Sequence, residues 1–241
     1  MVMQNSFVKG LKDGLPICFG YFSVAFAFGI FAVGQGLSAW QTVAVSLANV
    51  TSAGQLAGVP IMVGGLPFLE MAATQLIINL RYALMSVSLS QKVAANVSIV
   101  DRLIISFVNT DEVFAVASGC PGMVGRNYLY GLILTPYIGW SFGTAVGAVA
   151  GNVLPAIVIS ALGIAIYGMF VAIVVPAMRK DRAVLGVTLC AVGLSALFRY
   201  APVLKNLSAG MAIVICAVAA SALFAWLRPL EAEGEEAPSH G

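Results

Sequence analysis

The sequence predicts an all-α polytopic transmembrane helical bundle of seven to eight segments, and three observations predict it. Sixty per cent of the 241 residues are hydrophobic and only 9% are charged, with a mean hydropathy of +0.98, whereas soluble domains are roughly 25% charged. Charged residues are absent from Gly14 to Leu69, from Asn127 to Met178, from Ala183 to Phe198 and from Asn206 to Leu227. A spanning helix needs about 20 mostly apolar residues, so each of the two longer runs has room for two helices. The breaks inside them are visible as Val33-Gly34-Gln35-Gly36-Leu37-Ser38 and Gly151-Asn152-Val153-Leu154-Pro155, small, polar or helix-breaking stretches of the kind that mark loops.

The segments follow in order. Leu15 to Val33 begins after Lys9, Lys12 and Asp13. It outruns the short apolar core of a secretory signal and shows no small-x-small cleavage site before Gly34, so it is expected to remain as the first helix. Trp40 to Val63 is long enough to cross but holds the polar run Asn49 to Gln55. Leu66 to Leu89 follows a glycine pair and contains Arg81. Leu103 to Ala117 contains two acids and, like the seventh segment below, is short for a full crossing, so these two are expected to be tilted at their ends, half-crossing or re-entrant. Tyr128 to Ala150 and Leu154 to Ala177 divide the second long run. Val184 to Phe198 is short again and follows Arg179-Lys180-Asp181-Arg182, and Leu207 to Leu227 closes the set.

Residues 1–230 therefore read as one transmembrane domain, followed by an acidic tail, 231–241, whose Glu, Gly, Pro and Ser content predicts disorder. Positive charge flanking the membrane favours the cytoplasm. Placing Lys9, Lys12, the Arg179 to Arg182 cluster and Arg228 inside fits eight crossings but strands Lys92 and Arg102 outside, which argues that one or two first-half segments are re-entrant. A faint repeat relates Phe28-Gly29 to Phe142-Gly143 and Pro60 to Pro176, at offsets of 142 − 28 = 114 and 176 − 60 = 116. Duplicated halves are common in transporters, and these would be 1–119 and 120–230.

Several function classes lose support. Cys18, Cys120, Cys190 and Cys216 stand singly, without bridge or metal-ligand spacing, and His240 lies in the tail. A net charge of +2 gives no case for nucleic acid. No nucleophile–base pair, phosphate loop, metal cluster or cofactor motif is present, so neither catalytic residues nor metal ligands nor a cofactor are assigned.

The informative residues are polar ones inside apolar segments, where a charge is expensive and marks function by default. Arg81 lies two-thirds along its segment. Gln75, Asn79 and Tyr82, spaced by four and three, share a helical face with Arg81 to its side. Asp111 and Glu112 are adjacent carboxylates that either titrate during transport or cap a half-helix beginning near Asp111, with Thr110 or Asp111 as the cap. Asn49-Val50-Thr51-Ser52-Ala53-Gly54-Gln55 suggests an interrupted helix whose N-terminal end can hold a carboxylate, or close packing through small residues. One cation, two carboxylates and several amides among apolar walls suit a zwitterion with an apolar side chain.

These residues also bear a family resemblance. Gly14-Leu15-Pro16, Phe28-Gly29, Thr51-Ser52-Ala53-Gly54-Gln55, Asn79-Leu80-Arg81-Tyr82-Ala83-Leu84-Met85-Ser86 and Asn109-Thr110-Asp111-Glu112-Val113-Phe114-Ala115 resemble, in order, the AzlC-type large subunits of branched-chain amino-acid exporters. The second half matches mainly by hydropathy. Where the family often carries His after the arginine, this chain has Tyr82. The resemblance implies a bacterial inner-membrane complex with a small AzlD-type subunit, with homo-oligomers left open. It also implies proton-driven export of valine, leucine, isoleucine and in some members methionine. On that reading Thr51, Ser52, Gln55, Asn79, Arg81 and Tyr82 bind substrate, and Asp111 and Glu112 couple protons. An importer or channel for another small solute, or a membrane scaffold subunit, would carry the same polar residues.

Overall fold

The computed structural model describes residues 3–155, 157, 171, 174–176, 178–179, 181–201 and 208–227. Most of the expected segment Leu154 to Ala177, the tail 231–241 and Arg228 lie outside the described residues. The chain divides into two compact units, Met1–Val171 and Ala172–Gly241.

In the first unit a short strand, β1 (Met3–Gln4), leads into helix α1 (Phe7–Gly34). Helices α2 (Ala39–Ala48), α3 (Ser52–Val63), α4 (Phe68–Ser90), α5 (Ile99–Ser106) and α6 (Asp111–Gly119) follow, then β2 (Met123–Val124) and α7 (Arg126–Val153). The axis of the unit is the parallel pair α1 and α7. Gly10 faces Tyr128 and Gly131, Gly14 faces Leu132 and Thr135, and Gly139, Gly143 and Gly147 face Cys18, Phe22 and Phe26, so residue numbers rise together along both helices. Glycines at four-residue spacing let two backbones approach closely where lipid gives no hydrophobic drive for association. A Cβ on Gly143 would lie 2.5 Å from the Phe22 carbonyl oxygen.

The pair begins as it continues, because β1 pairs with β2 in parallel, Met3 opposite Met123. That register, 123 − 3 = 120, also relates Pro16 of α1 to Pro136 of α7. Along this seam Gly29 packs at Thr144 to Ala148, while Gly143 packs at Phe22.

The segment expected as a second crossing, Trp40 to Val63, is a re-entrant hairpin. Gly36 (φ +109°) and Gly65 (φ +60°) make the turns at its two ends, each in the left-handed conformation that glycine adopts without strain. A capping box between Ser38 and Gln41 starts α2. The helix breaks at Asn49 to Thr51, and Thr51 caps α3 by accepting from the Gly54 amide. Gly36, before α2, comes back beside Val63 at the end of α3, and Val59 packs with Phe28 and Ala32 of α1 near the level from which α2 set out.

Helix α4 then runs the depth of the unit. Its start lies against α3, Met71 beside Gly58, and its end delivers Lys92, whose carbonyl accepts from the Val124 amide of β2. The expected segment Leu103 to Ala117 is a second hairpin, entering from the opposite face. Helix α5 climbs α7 from Asp101, bonded by Tyr130, to Phe107 at Tyr137. Helix α6 descends from Glu112, bonded by Tyr21, to Cys120, which donates to Tyr128 at 3.1 Å.

This arrangement removes the charge conflict. With two hairpins that do not cross, Lys9, Lys12, Lys92, Arg102 and Arg126 all lie at one end of the unit, where β1 meets β2 and the Arg102 guanidinium reaches the Ala94 carbonyl. The positive-inside rule assigns that end to the cytoplasm.

In the second unit α8 (Arg182–Tyr200) packs with α9 (Ala209–Leu227). The segment expected to be short gains its length at both ends. Asp181 caps it by accepting from the Ala183 amide at 2.7 Å, and the helix continues through Arg199. Helices α1, α7, α8 and α9 are each long and apolar enough to cross a membrane; α4 is long enough, but Gln75, Asn79 and Arg81 lower its hydropathy.

Candidate functional site

The tips of the two hairpins meet in the middle of the first unit. Each tip is followed by the N-terminus of a half-helix, α3 or α6, where unpaired amides and the helix dipole favour negative charge. Between them lies a cavity of about 210 Å³ lined by Asn49 and Thr51 from one tip, Asn109 and Thr110 from the other, and Asn79 and Tyr82 from α4. Sites for drug-sized ligands span roughly 300–1,000 Å³, so this one suits a small solute.

A chain of hydrogen bonds fixes one wall. The Thr51 hydroxyl donates to Asn79 Oδ1 at 3.0 Å, Asn79 Nδ2 donates to Gln75 Oε1 at 3.1 Å, and Gln75 Nε2 donates to the Gly54 carbonyl at 2.8 Å. Tyr82 adds a longer bond to Thr51 Oγ1, 3.4 Å. The face shared by Gln75, Asn79 and Tyr82 is thus the face that docks on the first tip. Gln55, fully buried, points behind the tip: its Nε2 donates to the Asn49 carbonyl at 2.8 Å and to Ser46 Oγ at 3.0 Å. Ser46 is in turn bonded to Thr144 of α7 at 2.7 Å. Ser52, half-buried in the first turn of α3, is not among the residues lining the cavity.

The charges lie beside the cavity. Arg81 pairs with Asp111 at 2.6 Å, donates to the Tyr82 hydroxyl at 3.1 Å and lies 4.8 Å from the centre of the Tyr82 ring. The position one residue after the arginine therefore serves here as a platform that holds the guanidinium. Asp111 opens α6 with Thr110 as the N-cap residue, as one of the two sequence readings has it, but Thr110 makes no side-chain capping bond. Glu112 accepts from the hydroxyl of Tyr21, and Tyr21 packs edge-on to Trp140 with ring centroids 5.3 Å apart. Arg81 and Glu112 are exposed and the Asp111 side chain is 46% exposed. Among the described residues, no group of three or more acidic, Cys or His side chains could hold a metal.

The sequence-derived residues divide accordingly. Thr51, Asn79 and Tyr82 line the cavity, Arg81, Asp111 and Glu112 flank it, and Gln55 braces a tip from behind. Sequence reasoning gave no role to Asn109, Tyr21 or Ser86. Asn109 could have been found, since an amide next to Thr110 inside an apolar stretch repeats the pattern of Asn49 and Thr51. Tyr21 could not, because nothing local pairs it with a residue 91 positions away.

Crossing helices and opposed re-entrant half-helices around a polar centre define a polytopic helical membrane protein. The family comparison narrows this: residues 16–154 match the family described as AzlC protein, and the chain belongs to that family. It is similar to "Inner membrane protein YgaZ" of Escherichia coli (strain K12), 30% identical over 199 residues, covering 79% of this chain and 80% of that protein. It is also similar to an "Uncharacterized membrane protein" of Archaeoglobus fulgidus, 32% identical over 175 residues, covering 72% and 76%. No solved structure matches the chain.

Proposed function

We propose that this chain is the large subunit of a secondary exporter of branched-chain amino acids in a bacterial inner membrane, driven by the proton gradient. The observation that supports it best is the pair of opposed half-helix N-termini across a small polar cavity. Such a centre suits a carboxylate, with the side-chain amide oxygens of Asn49 and Asn109 available to an ammonium group. Arg81 and Asp111 neutralise each other at rest. A substrate zwitterion engages both in place of their mutual bond, and Asp111 or Glu112 takes up the proton that couples transport to the gradient. Ionisable groups at this depth are too costly to face lipid, so the exposed side of Arg81 and Glu112 is the face we assign to the small AzlD-type partner.

Efflux of radiolabelled valine from loaded vesicles containing the chain and its partner tests the proposal. Efflux should depend on the proton gradient and fall sharply in Arg81→Ala and Asp111→Asn. Unchanged efflux in both variants at normal expression would overturn the assignment of these residues, and no valine efflux from the wild type would overturn the substrate.

A further inference from the structure

A second cavity, of about 200 Å³, lies between α4 and α5. Its outer end is formed by Ser90 and Arg102 at the cationic face, and its inner end by Ser86, Ser106 and Asn109. Ser106 and Asn109 also line the central cavity, so the two spaces share a wall. Arg102 is a fixed charge at the mouth: its Nε donates to the Val97 carbonyl at 3.2 Å and its Nη2 to the Ala94 carbonyl at 3.3 Å. At the inner end Asn109 Nδ2 donates to Ser86 Oγ at 3.1 Å, tying the second tip to α4. Asn109 is only 4% exposed and its Oδ1 has no hydrogen-bond partner, although an amide oxygen buried without one costs free energy.

We infer that the space between α4 and α5 is the cytoplasmic passage to the central cavity, closed at its inner end by the Ser86–Asn109 bond, and that Asn109 Oδ1 receives the ammonium group of the arriving solute. The parts divide the work by chemistry. Arg102 attracts a carboxylate to the mouth, and the apolar walls at Leu89 and Leu103 accept an aliphatic side chain. An unsatisfied acceptor, Asn109 Oδ1, stands where the two cavities join, with Thr110 Oγ1, also unpartnered, beside it on the central-cavity side. Swinging the Asn109 side chain away from Ser86 breaks a single hydrogen bond and joins the spaces, so passage requires no displacement of α4. The amino-acid character of the solute rests on the proposed function; the passage itself rests only on geometry and charge.

The test uses Ser90→Cys in the full-length chain, with the wild type as background for the native cysteines, and a membrane-impermeant anionic methanethiosulfonate. The thiol should be labelled in inside-out vesicles and not in right-side-out ones, and labelling should suppress valine uptake into inside-out vesicles. No labelling from the cytoplasmic side, or full labelling with uptake unchanged, would overturn the passage. Excess valine should slow the labelling. Adding Asn109→Leu should leave the thiol reactive but weaken protection by valine roughly tenfold or more, as expected for losing a hydrogen bond to a charged group. Undiminished protection would overturn the role of Asn109. If wild-type vesicles take up no valine, the exporter reading fails, while a thiol closed to the cytoplasmic side still overturns the passage on its own.

Discussion

Replacing Thr51 by valine removes one hydroxyl and almost no volume, so its effect isolates the hydrogen bonds at the first hairpin tip. Thr51 is 3% exposed. Its Oγ1 donates to Asn79 at 3.0 Å and accepts from the Gly54 amide at 3.4 Å and the Tyr82 hydroxyl at 3.4 Å. Stranding an acceptor costs about 1–3 kcal/mol where it is buried and less at the half-buried Asn79 Oδ1, and losing a threonine N-cap costs about 0.5–2 kcal/mol. The half-buried acceptor and the two longer bonds keep the sum low, about 2 kcal/mol, because hydrogen bonds weaken with length and exposure. Thr51→Ser keeps every bond and should lie within about 1 kcal/mol of wild type, the cost of one buried methyl group. Equilibrium unfolding in detergent measures the difference, and valine efflux in vesicles measures the site. Both should fall in the valine variant and be largely restored in the serine variant. A valine variant as stable and as active as wild type would refute the role given to the Thr51–Asn79 bond.

Topology gives a sharper result, since Asn96→Cys should be labelled from the same side as Lys12→Cys by an impermeant thiol reagent, whereas eight full crossings put them on opposite sides. Gly143→Leu forces a side chain into the Phe22 backbone and should abolish folded, monodisperse protein on size-exclusion chromatography, whereas Gly20→Leu, with open space around its Cβ position, should not. Arg81→Ala leaves Asp111 without its partner, a change that costs up to about 3–5 kcal/mol for a fully buried pair and less for this half-exposed one. Adding Asp111→Asn should recover part of the lost thermal stability without recovering efflux. Tyr21→Phe removes the donor to Glu112 and should lower efflux while leaving the expression level unchanged.

Much of this architecture was legible in the sequence wherever one segment meets one solvent. The charge-free runs locate the apolar helices, and the polar interruptions at Asn49 to Gln55 and Asp111-Glu112 mark the two hairpins. The positive-inside conflict at Lys92 and Arg102 points to re-entry from charge placement alone. Hydropathy does not report direction, so a hairpin of two half-helices and one continuous crossing, such as Trp40 to Val63, look alike until Gly36 is found beside Val63. The spacing of Gln75, Asn79 and Tyr82 correctly separates them from Arg81, because helical periodicity is local. Pairings such as Arg81 with Asp111, Tyr21 with Glu112 and Ser46 with Thr144 join residues far apart in the chain, and no local signal encodes them.

The parallel seam between α1 and α7 dictates an order of assembly. Its partners are separated by about 120 residues, so while the chain is being synthesised the first helix waits, unpaired, until α7 emerges. Closing so long a loop is slow relative to forming local turns. Neither hairpin can settle early, because their polar tips are satisfied by contacts with α1, α4 and α7 that do not yet exist together, and irregular backbone is not tolerated against lipid. The three long helices must therefore gather first, and the half-helices slot between them afterwards. A glycine-seam variant would accordingly fail at this gathering step, leaving an inserted but unassembled chain for membrane proteases to degrade.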